Sequence, residues 1–166
     1  MLSPQLRMLG RFNRWANRKV YAAVAGLTDA EYRADCGAFF RSAHRTLNHI
    51  LVGDRLWLRR LTGSGDQPNS LDAVLYDDFA ALGAARARED ERIVDYVDGL
   101  DEAALDRPCA FTNMAGEAFT FTLGPLVINM FNHATHHRGQ VHGILTGLGK
   151  ESLALDLFIY MREAGA

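Results

Sequence analysis

The stretch Pro125-Leu126-Val127-Ile128-Asn129-Met130-Phe131-Asn132-His133-Ala134-Thr135-His136-His137-Arg138-Gly139-Gln140, continuing to Leu148, has helical period throughout. At about 100° per residue, Leu126, Met130, His133, His137, Val141, Ile144 and Leu148 fall within a stripe roughly 80° wide. Pro125 suits a helix start, and Gly147 and Gly149 suit its end. His133 and His137 therefore lie one turn apart on the face that a helix turns toward a core. His136 falls about a quarter turn off that stripe, flanking it or backing it. His142 points nearly the opposite way and reads as a solvated residue.

Three further helices are written on either side. The first runs from about Pro4 to Leu27, with Leu6, Leu9, Phe12, Trp15 or Ala16, Val20 and Ala23 at three- and four-residue steps. A loop holding Cys36 and Gly37 leads to a second, about Ser42 to Leu61, with Ser42 as N-cap and Gly63-Ser64-Gly65 as its stop. The third, about Asp77 to Leu100, opens with acids that suit the positive end of a helix dipole. Between Pro108 and Leu123 the period changes to that of two short strands around Met114-Ala115-Gly116-Glu117. A short last helix covers about Leu153 to Arg162. The expectation is an all-α single domain over residues 1–166: a four-helix bundle with a small β-hairpin before the fourth long helix and a short C-terminal helix.

Composition narrows the function. In 166 residues, 18 Lys+Arg stand against 20 Asp+Glu, a formal charge of −2 that offers no general footprint for phosphate backbones. Arg7, Arg11, Arg14, Arg18 and Lys19 interrupt the first 21 residues, so no export signal is expected there, and no window suits a membrane span. The expectation is a cytoplasmic protein acting on a small molecule, with neither nucleic acid nor membrane as partner. Two cysteines, Cys36 and Cys109, make no disulfide framework and are expected as reduced, half-buried thiols. Six histidines against two cysteines is the unusual count.

On the second helix, His49 sits beside the apolar arc of Ile50, Trp57 and Leu61, in line with the small residues Ser42, Thr46 and Gly53, which leave room for a metal and its ligand. His44 turns toward Asn48 and Arg55, the polar side. A lone core histidine is ordinarily a hydrogen-bonded core residue. Two imidazoles buried side by side without a metal, however, leave polar atoms unpaired at about 1–3 kcal/mol each. With His49 on a neighbouring helix, the three-histidine metal site becomes the better reading. Three imidazoles and an open position describe a catalytic rather than a structural site. Zn or Ni leads among the divalent ions, with Fe, Mn or Cu as alternatives.

On the third helix Arg86 and Asp90 interrupt the inner stripe of Phe79, Leu82, Ile93, Val97 and Leu100. Either they line the pocket over the metal as candidate catalytic residues, or that side tilts into solvent. Gln140 is a third candidate, holding a ligand or orienting an imidazole. Arg138 and Gly139 read as structural, through an ion pair and helix packing. Ile128, Phe131 and Leu145 form a second apolar face for another subunit or the last helix. Trp15 and Trp57 read as core.

The pieces together resemble the DinB/YfiT-like family of metalloenzymes over nearly the whole chain. They are Phe12-Asn13-Arg14-Trp15-Ala16-Asn17, Leu47-Asn48-His49-Ile50-Leu51, Asp54-Arg55-Leu56-Trp57, Ala85-Arg86 with Asp90-Glu91-Arg92, and Asn132 to Gln140. The resemblance implies a four-helix bundle and a divalent metal on His49, His133 and His137. It also implies a homodimer and, from some relatives, transfer of a low-molecular-weight thiol such as bacillithiol or mycothiol to electrophiles. Other relatives are known only as damage-inducible or as hydrolases. The expected function is thus a metal-dependent enzyme activating a thiol or water, thiol S-transferase-like. The alternatives are a metal-dependent hydrolase and a non-catalytic, stress-linked metal-binding protein.

Overall fold

In the computed structural model, which describes residues 1–165, each helix end is set by a local polar contact. Helix α1 (Ser3–Val24) has Pro4 in its first turn, and its leading amides are capped from far along the chain. Leu2 N and Ser3 N donate to the Glu102 carboxylate at 3.0 and 2.7 Å. Helix α2 (Asp29–Arg33) opens with a reciprocal capping box between Thr28 and Glu31. Helix α3 (Ala43–Thr62) starts at Ser42, whose hydroxyl accepts from Arg45 N, and stops at Gly63, whose φ of 75° lies in the left-handed region glycine adopts freely. Helix α4 (Phe79–Asp98) and the single turn α5 (Glu102–Leu105) are capped by Asp78 and Asp101.

Strands β1 (Pro108–Thr112) and β2 (Ala118–Thr122) pair antiparallel, with Cys109 opposite Phe121 and Phe111 opposite Phe119. Helix α6 (Leu123–Gly147) follows β2 directly, and α7 (Leu157–Ala164) closes the chain. The expected bundle and hairpin are present. α2 and α5 are additions to the expectation, and α7 begins four residues later than the periodicity suggests. Leu153 and Leu155 instead pack against the core from the irregular chain before α7.

The helices α1, α4, α3 and α6 pack in that cyclic order, with α6 held between α3 and α1. Two apolar clusters fill the bundle. One gathers Val20, Leu47, Leu51, Leu82, Val141 and Leu145, and the other Leu6, Leu58, Ile93, Val97, Val127 and Met130. Phe131 and Leu145, expected to meet another subunit or the last helix, are buried within these clusters (5% and 0% exposed), and Phe131 approaches α1 at Gly10. Most of that face is thus taken up inside the bundle, with Ile128 half-buried beside it.

Between the clusters lies a buried polar belt to which all four helices contribute. Arg86 of α4 donates to Asp54 of α3 at 2.6 Å and lies 3.1 Å from Asp90. Asn17 of α1 donates to Asp90 at 2.8 Å, and Arg138 of α6 donates to Asn13 and Asn17. A buried charge is costly unless paired, and here each carboxylate has the Arg86 guanidinium beside it, although Oδ1 of Asp54 and Nε of Arg86 find no hydrogen-bond partner among the described residues.

Candidate metal centre

The packing of α3 on α6 brings His49, His133 and His137 together. Their ring nitrogens lie within 4.8 Å of one another, and the Nε2 of His49 is 3.1 Å from the Nε2 of each of the other two. The backbone permits this because α3 carries glycine at 53. A Cβ there would stand 2.4 Å from Cε1 of His133, so the space beside His49 is filled by the ring of His133 itself.

The tautomers follow from the far sides of the rings. Nδ1 of His49 lies 2.7 Å from the Leu71 carbonyl, which only accepts, so Nδ1 carries the proton and Nε2 a lone pair. Nδ1 of His137 lies 2.8 Å from Oε1 of Gln140, whose Nε2 is turned to His136 at 3.2 Å. His137 Nε2 therefore also presents a lone pair. Two lone pairs 3.1 Å apart make no hydrogen bond and repel unless a cation lies between them. Nδ1 of His133 is buried with no hydrogen-bond partner among the described residues. Burial holds all three imidazoles neutral, pushing His49 down to about 4, His133 to about 3 and His137 in the same direction. Neutral imidazole is the ligating form, so the donor set fits a divalent ion of the Zn type.

Phe40 stacks on His49 at 3.8 Å between ring centroids and meets His137 edge-on, keeping water from that side. Its neighbour Phe39 lies edge-on to it and is 82% exposed.

The other sequence candidates sort differently. Gln140 does touch the triad, as the acceptor for His137. Arg86 and Asp90 are each 2% exposed in the polar belt, so the charged run does not tilt into solvent. Asp54, to which Arg86 donates, escaped notice, although Leu47, Leu51, Asp54 and Leu58 share one helical stripe and a carboxylate there is as anomalous as Arg86. His44, placed on the polar side of α3, is buried at 6% exposure. Tyr32 of α2 lies edge-on to it at 5.2 Å, and the chain before α4 covers it at Asp77. His142 is half-buried rather than solvated, bonding Ser152 Oγ at 2.9 Å and Leu153 N at 3.3 Å, which holds the chain after α6. His136 is exposed. Gly139 packs against nothing, since a Cβ there meets no atom within 4 Å. Trp15 and Trp57 are half-buried, against Tyr160 of α7 and Phe111 of β1, and neither is central to the core. Cys109 is half-buried but Cys36 is exposed.

The model of the DinB family matches residues 1–165. The chain belongs to the DinB family. Among curated relatives, Protein DinB of Bacillus subtilis (strain 168) is 24% identical over 162 residues, covering 92% of this chain and 91% of that one. Among solved structures, YfiT from Bacillus subtilis, described as a probable metal-dependent hydrolase with an unusual four-helix bundle topology, superposes with a TM-score of 0.66. It is 16% identical, covers 89% of this chain and 90% of its own, and so speaks for the fold alone. Among the described residues, no helix of this DinB-family chain is long and apolar enough to cross a membrane.

Proposed function

We propose that this DinB-family chain is a divalent-metal-dependent enzyme acting on a small molecule, with His49, His133 and His137 as the ligands. The observation that carries the reading is the pair of facing Nε2 lone pairs, fixed by Leu71 and Gln140 on the opposite sides of their rings. Three imidazoles leave a position free, and an ion there supplies a nucleophile at neutral pH, by lowering the pKa of water to about 7 or by holding a thiol as thiolate. The chain's own part is to fix the rings and limit solvent. Leu71 and Gln140 hold the tautomers, Gly53 admits the third ring and Phe40 covers one side. Zn or Ni suits the donors first.

Two nucleophiles compete within this reading. Thiol S-transfer follows from the family likeness, and hydrolysis is the activity ascribed to the structural neighbour YfiT. Replacing His137 with Ala should remove stoichiometric metal from protein purified without chelator, and unchanged metal content would overturn the ligand set. The metal-loaded protein is then assayed with low-molecular-weight thiols plus electrophiles, and with esters and amides. Turnover that requires the thiol assigns a transferase, and cleavage without it assigns a hydrolase. Stoichiometric metal with no turnover in either arm would reduce the protein to a metal-binding one.

A further inference from the structure

The last turn of α3 and the hairpin enclose a groove of about 400 Å³, with Leu56, Arg59, Arg60, Gln67, Phe111 and Met114 in its walls. Arg60 is its distinctive member. Its guanidinium carbon lies 4.7 Å from the ring centroid of Trp57 and 5.0 Å from that of Phe111, so two aromatic rings hold the group. Among the described residues it makes neither a hydrogen bond nor an ion pair. The half-buried Arg11, Arg14 and Arg55 behave otherwise, being paired with Asp98, Glu91 and Asp66. Arg59 beside it reaches only a backbone carbonyl, that of Gly65. Two neighbouring cations thus border one groove, and among the described residues no carboxylate lies within ion-pair distance of either. Basic residues suit the C-terminus of a helix, which accounts for their sign. That preference accounts neither for the aromatic clamp nor for the unspent N–H edge of Arg60.

The hairpin supplies the rest of the surface. Phe111, Phe119 and Phe121 share one face, with Phe111 to Phe119 at 5.7 Å and Phe119 to Phe121 at 6.1 Å between centroids. α3 covers only part of it, leaving Phe119 36% and Phe121 52% exposed. His49 and Arg60 stand eleven residues apart on α3, about 16 Å along the axis, so the groove is separate from the triad.

We propose that this groove binds a small organic anion: a carboxylate or phosphate received by the N–H edge of Arg60, on an aromatic body that lies against Phe111. Guanidinium takes such groups through two parallel hydrogen bonds, and its flat faces are satisfied by the rings that already hold it. Arg59 adds a second positive charge at the rim. Burial pushes the Arg60 guanidinium below its ordinary value, a desolvation that an anion would offset.

Phenyl phosphate is the probe. Titrated into the metal-loaded chain and followed calorimetrically, with Trp57 fluorescence in a Trp15→Phe background, it should saturate one site. Inorganic phosphate should bind more weakly, and uncharged benzamide should not bind. Arg60→Gln should weaken phenyl phosphate roughly tenfold or more with metal content unchanged, and Arg60→Lys, which keeps the charge but not the fork, should weaken it less. Binding must persist in His137→Ala, which separates the groove from any anion held at the metal. The proposal is overturned by failure of phenyl phosphate to saturate, by full affinity in folded Arg60→Gln, or by loss of binding in His137→Ala. Equal affinity for inorganic phosphate would overturn it too.

Discussion

Gly53→Ala separates two effects that usually travel together. In an exposed helix interior this change stabilises by about 1 kcal/mol, because alanine restricts the unfolded chain. Here the new methyl would stand 2.4 Å from Cε1 and 2.9 Å from Nδ1 of His133, against ordinary contact at 3.4 Å or more. The ring must retreat by about 1 Å. Metal–nitrogen bonds tolerate about 0.2 Å, so the retreat removes His133 from any common coordination sphere. Because His133 is half-buried, its ring can swing outward without leaving a closed cavity. The expected result is a chelated protein at least as stable to urea as wild type, with metal affinity weakened roughly a hundredfold or more, beyond what loss of an outer-shell contact brings. Competition against a chromophoric chelator gives the affinity, and urea unfolding with EDTA the stability. Gly143→Ala is the control, since a methyl there meets no atom within 4 Å and should leave affinity unchanged. Wild-type affinity and stoichiometry in Gly53→Ala would refute the placement of His133 against α3 and the three-imidazole centre with it.

Three other outcomes follow from the same geometry. Gln140→Leu removes the acceptor for His137 Nδ1 and should weaken metal binding about 10- to 100-fold by the same competition assay, with helix content unchanged by circular dichroism. Arg86→Met strands the Asp54 and Asp90 carboxylates in the core and should cost about 3–5 kcal/mol in urea unfolding, enough to threaten the fold. Glu102, held below its ordinary value of 4.5 by the amides of Leu2 and Ser3, binds fewer protons folded than unfolded. Its contribution is present above pH 4.5 and is lost as pH falls below it, so Glu102→Gln should be less stable than wild type at pH 6, with the gap closing toward pH 3 in paired urea titrations.

The long helices and the triad were legible because each rests on a period within one segment. The stripe through Leu126, His133 and His137 needed no knowledge of the partner helix, and His49 needed only its own. What escaped was supplied by chain folding over a helix from elsewhere. Asn48 looked like surface on α3, yet its amide donates to Tyr76 O and accepts from Tyr76 N, pinning the segment that buries His44. Periodicity within α3 carries no trace of that segment's return. Two features were written locally and passed over: Thr28 with Glu31 three residues on spells the capping box of α2, and Asp54 breaks an apolar stripe as plainly as Arg86 does. Gly53 was read for its smallness, which was right. Its use, as the seat for a ring from another helix, depended on a distance no single segment encodes.

The belt of Asn13, Asn17, Asp54, Arg86, Asp90 and Arg138 crosses the bundle at one level, with an apolar cluster on either side. Its consequence is for how the helices may slide. Apolar side chains tolerate a neighbour displaced by one turn, about 5.4 Å, but a carboxylate moved that far from its guanidinium faces hydrocarbon. The belt therefore works as a vernier: Arg86 and Asp90 meet within α4, but Asp54, Asn17 and Arg138 reach their partners only when four helices come to one common mark. The same mark sets His49 of α3 level with His133 and His137 of α6. Longitudinal alignment of the metal ligands is written in residues that never touch the metal.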